Sequence, residues 1–358
     1  MTRILGIETS CDETAAAVVE DGRIVCSNII ASQHGLHAKF RGVVPEIASR
    51  AHLEKILPVI DQAIEGADTT LHEVDAIAVG NRPGLVGSLI VGVGAAKALA
   101  WSLGLPLIGV DHLRAHLWAA NLYHVDQPPT TAVAYPALGL VVSGGHTSLY
   151  EISAATEMAL LGKTLDDAVG EAYDKAAVIL DIPYPGGPNL DQLAQTGDPC
   201  AYDLPRSMLH RDSLDFSFSG LKTALLYTVR GTPRGRGRAA HFERSAADLS
   251  ETQRADLAAS FQEAAIDTLI RKIERALDQR DVAGRTIQSL VIGGGVSANS
   301  FLRQRMKELG QCRRLPVFLP PMPFCLDNAA MIAGLAYHQL QNGNVSDLSL
   351  PVIATTGR

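Results

Sequence analysis

The chain has 358 residues, past the roughly 250–300 at which a single hydrophobic core usually stops growing, so two domains or lobes are expected. Apolar residues make up 47% and charged ones 19%, with no low-complexity tract, which excludes a disordered chain. Thirty-eight acids against 31 Lys plus Arg leave a net charge of −7, so a nucleic-acid partner would need a local basic patch or a helper protein.

The first elements are "RILGIET", "AAAVVED" and "GRIVCSNII", three β-rich runs split by the polar turn "SCDE" and by Asp21-Gly22. Acids at Glu8 to Glu13 come too early for the apolar region of a signal peptide. "ETSCDET" reads most simply as a polar hairpin turn. The next stretch, "VPEIASRAHLEKILPVIDQAI", has helical periodicity. In "HGLHAKFRGVVPEIASRAH", which leads into it, Lys39, Arg41 and Arg50 stand with a single acid, Glu46, which suits either phosphate contact or an ordinary surface helix and loop. Strand "DAIAVG", turn "NRPG", helix "LVGSLIVGVGAAKALAWSL", strand "PLIGV" and helix "HLRAHLWAANL" follow. The apolar helix contains Lys97 and several glycines and reads as buried, not as a membrane span. Five cysteines, never in a CxxC pair, predict reduced thiols and a cytoplasmic location with no membrane partner.

After the Pro-rich joint "VDQPPTTAVAYPA" the same order restarts with "LGLVVSGG", "HTSLYEIS" and "EMALLGK". It closes with strand "SLVIGGG", helix "VSANSFLRQRMKEL", strand "PVFLP" and helix "DNAAMIAGLAYHQL". The expectation is a duplicated α/β protein with ligands in a cleft between the copies: an N-terminal lobe over 1–125, a C-terminal lobe over 131–326, and the helix over 327–341 with its tail packing back on the first lobe. The arginine-bearing segment 230–253 has no counterpart in the first copy and reads as a flexible insertion.

His112 and His116 stand at i, i+4, which puts both imidazoles on one helix face; the spacing suits two nitrogen ligands to one metal as well as it suits packing. A zincin would need Glu where Leu113 stands, which disfavours a metallopeptidase. The second copy's corresponding helix opens at Asp327, which would face the histidines if the copies face each other, or would serve as a helix N-cap. Two His and one carboxylate with open positions would suit Fe(II) or Zn(II) as a Lewis acid. "GGGVSA" matches the dinucleotide fingerprint, but the strand after it ends in prolines where an acid should stand, so NAD binding is rejected and close backbone approach to a nucleotide is kept. "GKT" lacks the earlier glycine of a Walker A loop, Glu157 standing there. In "VSGGHTSL" the glycines let main-chain amides approach a phosphate. "DDAVGEAYDKAAVIL" carries Asp167, Glu171 and Asp174 as a solvated acidic face, while Asp174 or Asp191 could accept from ribose hydroxyls.

"GIETSCDETAAAVV", "GVVPEIASRAH", "DHLRAH", "LVVSGGHTSL", "DDAVGEAYDKAA", "YPGGPNLDQLA", "FSFSGLKTA", "GGGVSANSFLR" and "CLDNAAMIAG", in this order, resemble the TsaD family of tRNA N6-adenosine threonylcarbamoyltransferases. The resemblance implies an actin/Hsp70/sugar-kinase-like (ASKHA) fold and transfer of a threonylcarbamoyl group from threonylcarbamoyl-adenylate to N6 of adenosine 37 in tRNAs reading codons that start with A, with AMP released. It implies His112, His116 and Asp327 as ligands of one divalent metal, Fe(2+) ahead of Zn(2+). It implies adenylate contacts at Val141, Val142, Ser143, Gly144, Gly145, Asp174, Gly187, Asp191 and Asn299, metal-assisted transfer without a covalent nucleophile, and TsaB-like and TsaE-like helper proteins. A carboxylate or sugar kinase of the same fold is the alternative; it would hold Mg²⁺ through nucleotide phosphates and need no HxxxH pair. The chain departs from the family at "NRPGL", where Arg82 replaces a glycine, so any left-handed backbone there must be relaxed.

Overall fold

A computed structural model describes residues 1–37, 40, 42–128, 131–207, 212–235 and 241–355. The chain divides into two compact units, one of Met1–Val133, Ser153–Met158 and the segment from Pro320 onward, the other of Ala134–Ile152 and Ala159–Leu319. The segment after Pro320 joins the first unit ahead of its expected boundary at 327 because Phe324 is buried in the same cluster as the final helix.

In the first unit β1 (Arg3–Glu8), β2 (Glu13–Glu20) and β3 (Ile24–Ser32) form an antiparallel meander. The one-turn α1 (His34–His37), α2 (Pro45–Gly66), β4 (Ala76–Arg82), α3 (Val86–Leu103), β5 (Leu107–Asp111), α4 (His112–Trp118) and β6 (Tyr123–His124) follow. The strand order is β5-β4-β1-β2-β3-β6, with β1, β4 and β5 parallel. Alternation along the strands sends Leu5, Ile7, Ala16, Val18, Ile77 and Val79 to one face, packed on α2 and α3. Ile4, Ala15, Ala17, Ala78, Ile108 and Val110 go to the other, packed on α4 and on α10 (Ala329–Gln341). The tail then runs back along β4, where Asn81 Nδ2 donates to Pro351 O at 3.0 Å and Ile353 N–H donates to Asn81 O at 3.0 Å.

α3 is the one helix among the described residues long and apolar enough, by length and composition, to cross a membrane. It is not wholly buried as expected: Leu89, Gly92, Val93, Ala96 and Ala100 face the core, while Val86, Ile90 and Trp101 are exposed.

The second unit contains β7 (Ala137–Val142), most of β8 (Thr147–Ala154) and of β9 (Glu157–Lys163), then α5 (Val169–Ile179), α6 (Gly186–Ala194), α7 (Ser219–Arg230), α8 (Glu251–Val282), β10 (Ser289–Gly293), α9 (Ser300–Arg313) and β11 (Val317–Phe318). Its strand order, β11-β10-β7-β8-β9, repeats that of β5-β4-β1-β2-β3 strand for strand. The long α8 starts at a capping box in which Ser250 and Gln253 satisfy each other's backbone N–H, and its apolar side joins α5, α6, α7 and the sheet in one core. The helix expected from "VSANS" begins later, at Ser300: residues Gly295–Ala298 form a 3₁₀ turn, and Asn299 caps α9 by accepting Leu302 N–H at 2.8 Å.

Candidate metal centre

β5 ends at Asp111, whose Oδ1 accepts the N–H groups of Leu113 and Arg114 at 3.0 and 3.2 Å and so starts α4 one residue later. The start fixes the helix phase. His112 and His116 share one face, with ring centroids 4.5 Å apart, while Leu113, Leu117 and Ala120 are buried in the core. Asp327 lies just before α10. The N-cap of α10 is Asn328, whose Oδ1 accepts Met331 N–H at 2.9 Å, so Asp327 does not serve as the cap and its carboxylate turns to the histidines. Asp327 Oδ1 is 3.4 Å from His112 Nε2 and 3.1 Å from His116 Nε2.

These residues fit a small divalent cation. One donor atom from each lies within 4.8 Å of the others. Two atoms held about 2.1 Å from one tetrahedral ion lie about 3.4 Å apart, close to the separations seen. His116 is fully buried, and neither of its ring nitrogens makes a hydrogen bond of good geometry among the described residues. A buried imidazole left so is costly unless another partner takes it. The Asp327 side chain keeps 20% exposure, so the donor set is reachable from solvent on that side.

Charge couples the three groups. Burial pulls the His112 imidazole down, but the Asp327 and Glu8 carboxylates outweigh it and hold its pKa well above the ordinary histidine value. Burial and the neighbouring His112 push His116 down. Burial would raise Asp327, and the two imidazoles reverse that, holding its carboxyl well below the usual range.

"ETSCDET" is not a solvated hairpin. Glu8, Thr9 and Thr14 are fully buried and Ser10 nearly so. Glu8 Oε2 accepts from His112 Nδ1 at 3.0 Å, a contact that the spacing of residues gave no reason to expect. At the other end of the loop, burial first, then Asp327 and Asp12, pushes Glu13 up to about 9.

The second unit brings several of the expected nucleotide residues into direct relation. Val141 and Val142 are buried at the end of β7, and Ser143, Gly144 and Gly145 continue into a loop where the two glycines are exposed. Gly294, at φ +94°, crosses Val142 so closely that a Cβ would sit 2.4 Å from the Val142 carbonyl oxygen. Asp174 Oδ1 accepts Gly187 N–H at 3.2 Å, joining α5 to the start of α6. Asp191 accepts both the N–H and the hydroxyl of Ser300 at 2.9 Å, and Asn299 Nδ2 donates to Gln262 Oε1 at 2.9 Å. Of the acidic face, Asp167 is not simply solvated: it bridges Lys175 and Lys222.

Other expectations change. Lys39 and Arg41 lie outside the described residues; Arg50 is exposed on α2, whereas His37 and His52 beside it are buried and satisfied by Gln33, Thr14 and the Cys11 carbonyl. Arg82 does not adopt a left-handed conformation; its Nε lies 3.4 Å from Asp111 Oδ2. In the segment 230–253, residues 236–240 lie outside the described residues, and Arg234 pairs with Glu243.

Two solved structures share this architecture across nearly all of the chain. Full-length HypF, in a phosphate- and nucleotide-bound form, matches with a TM-score of 0.56 at 13% identity, over 96% of this chain and 47% of that one. Component A of the Acidaminococcus fermentans (R)-2-hydroxyglutaryl-CoA dehydratase matches with a TM-score of 0.50 at 13% identity, over 95% of this chain and all of that one. The fold is thus α/β of the actin/Hsp70/sugar-kinase-like class. A TsaD profile, described as tRNA N6-adenosine threonylcarbamoyltransferase, matches residues 24–334. Proteins of that name from Trichlorobacter lovleyi and Moorella thermoacetica are each 48% identical over 98% of this chain and 96% of their own length. One from Bacillus cereus is 46% identical over 98% of this chain and 94% of its own. The chain belongs to the TsaD family and is a transferase.

Proposed function

We propose that this chain transfers the threonylcarbamoyl group of L-threonylcarbamoyl-adenylate to N6 of adenosine 37 in tRNAs that read codons starting with A, with one divalent cation, Fe²⁺ ahead of Zn²⁺, held by His112, His116 and Asp327. The observation that carries this reading is the convergence of those three side chains, from segments more than two hundred residues apart, in a member of the TsaD family.

In the reaction the N6 lone pair attacks the carbamoyl carbon, the bond from that carbon to the phosphate oxygen breaks, AMP leaves with the electron pair, and N6 loses one proton. The cation would supply Lewis-acid polarisation of the acyl or phosphate oxygens. The protein's share is positioning and charge. We assign the adenylate to Val141, Val142, Ser143, Gly144, Gly145, Asp174, Gly187, Asp191 and Asn299. The exposed glycine backbone of the 143–145 loop offers N–H groups to a phosphate, and the carboxylates of Asp174 and Asp191 offer acceptors to ribose hydroxyls. No residue serves as a covalent nucleophile in this scheme. A chain of net charge −7 does not draw tRNA by its overall field, which supports the further proposal that TsaB-like and TsaE-like helpers take part, in the cytoplasm.

The test is a reconstituted transfer with the adenylate, unmodified tRNA and the helper proteins, read as modified nucleoside by mass spectrometry. The double substitution His112→Ala plus His116→Ala should lower product formation by well over the ~100-fold that outer-shell partners of a metal cost. Unchanged product with that variant would exclude the metal role.

A further inference from the structure

Glu8 stands at the end of β1, and His112 begins the helix after β5, with β4 between those two strands. The carboxylate reaches His112 across β4 at Gly80. A Cβ at position 80 would sit 2.5 Å from Glu8 Oε2, so any larger residue there forces the carboxylate to shift. The Glu8 side chain is fully buried and both of its oxygens are engaged. Oε1 accepts Ser10 N–H, and Oε2 accepts His112 Nδ1–H at 3.0 Å, with Ser10 Oγ 3.2 Å from the same ring nitrogen. A carboxylate in this place has acceptors only, so His112 carries a proton at Nδ1, and Nε2, which faces Asp327, is the ring nitrogen left for a metal. His116 has no such partner at its Nδ1 among the described residues.

We propose that Glu8 is the positioning residue of the metal centre: it fixes the ring orientation and protonation pattern of His112 so that Nε2 can ligate, a role that rests on the metal reading above. Gly80 and Ser10 hold Glu8 in turn. An amide at position 8 cannot replace the carboxylate. If its oxygen keeps Ser10 N–H, its NH₂ meets His112 Nδ1 and drives the ring proton to Nε2, where it blocks the metal. If it turns over, its NH₂ faces Ser10 N–H, donor against donor.

The experiment is Zn²⁺ affinity of the full chain by chelator competition, together with proton NMR of the Co²⁺-loaded protein. Wild type should show two strongly shifted, exchangeable imidazole N–H signals, one for each ligating histidine. Glu8→Gln should bind Zn²⁺ about 10- to 100-fold more weakly and should lose or speed the exchange of one of those signals, with an unfolding midpoint near that of wild type. Gly80→Ala, which touches no ligand, should weaken Zn²⁺ in the same direction and decides the matter should Glu8→Gln fail to fold. Folded variants whose affinity stays within about twofold of wild type overturn the role of Glu8 and leave the metal centre standing. Zn²⁺ binding that is unaffected by His112→Ala plus His116→Ala overturns both.

Discussion

Asp327 and Asn328 divide two tasks that the sequence pattern allows one residue to take. A helix start attracts Asp and Asn alike, so "LDNAA" does not say which side chain caps the helix. The structure assigns the cap to Asn328, and the neighbouring carboxylate reaches His112 and His116. Glu8 was not legible for a different reason: a run of acids and hydroxyls between two strands has the composition of an exposed turn, and burial depends on what the rest of the chain places above it. The same limit applies to Lys272. Its side chain is buried on α8 and its Nζ donates to Ser213 O at 2.7 Å. Burial, then Arg275, pushes its ammonium down to about 8. Below that pH the lysine is charged in both the folded and unfolded chain, and the fold carries the desolvation cost. Between there and the unfolded value near 10.4 the unfolded chain binds more protons, so stability rises with pH. Lys272→Met should therefore lead wild type in urea unfolding by more at about pH 7 than at about pH 9.5. Equal differences at the two values would show that the lysine is not desolvated.

The elements themselves were mostly legible, since strand alternation and helix periodicity come directly from local side-chain pattern. The strand-to-helix junction at Asp111 shows how one such element sets a site. Its carboxylate takes two N–H groups of α4 through Oδ1 and faces Arg82 through Oδ2, so the phase of the helix and the direction of both imidazoles follow from one cap. Asp111→Ala should lower stability by about 0.5–2 kcal/mol in denaturant unfolding and weaken Zn²⁺ binding at the same time. A loss of stability with unchanged Zn²⁺ affinity would mean that packing of Leu113 and Leu117, and not the cap, aims the histidines. Two element readings were revised by tertiary context. "VSANS" begins with a 3₁₀ turn before Asn299 caps α9, and α3 buries only one face although nearly every residue in it is apolar or small.

At the scale of the whole molecule, the duplication was legible because the order of strands and helices restarts after the joint at 125–137, and five strands of each sheet share one order. It also pointed to Asp327 through the correspondence between the helices after β5 and β11. In the structure His112, His116 and Asp327 all belong to a single unit, because the chain returns at Pro320 to add α10 to the first sheet. The repeat thus led to the residue that meets the histidines through an argument about opposed copies, while the contact is made within a single unit. The residues proposed for the nucleotide lie in the second unit, and the proposal rests on the family resemblance together with the exposed backbone at Gly144 and Gly145.

The most direct measurement is the transfer reaction on metal-stripped protein with stepwise return of Fe²⁺, reading the modified nucleoside and bound iron together. Chelation should reduce product to the level of the His112→Ala plus His116→Ala variant, and activity should return in proportion to iron up to one ion per chain. Full-rate transfer by the stripped protein, or recovery in the double variant, would contradict it.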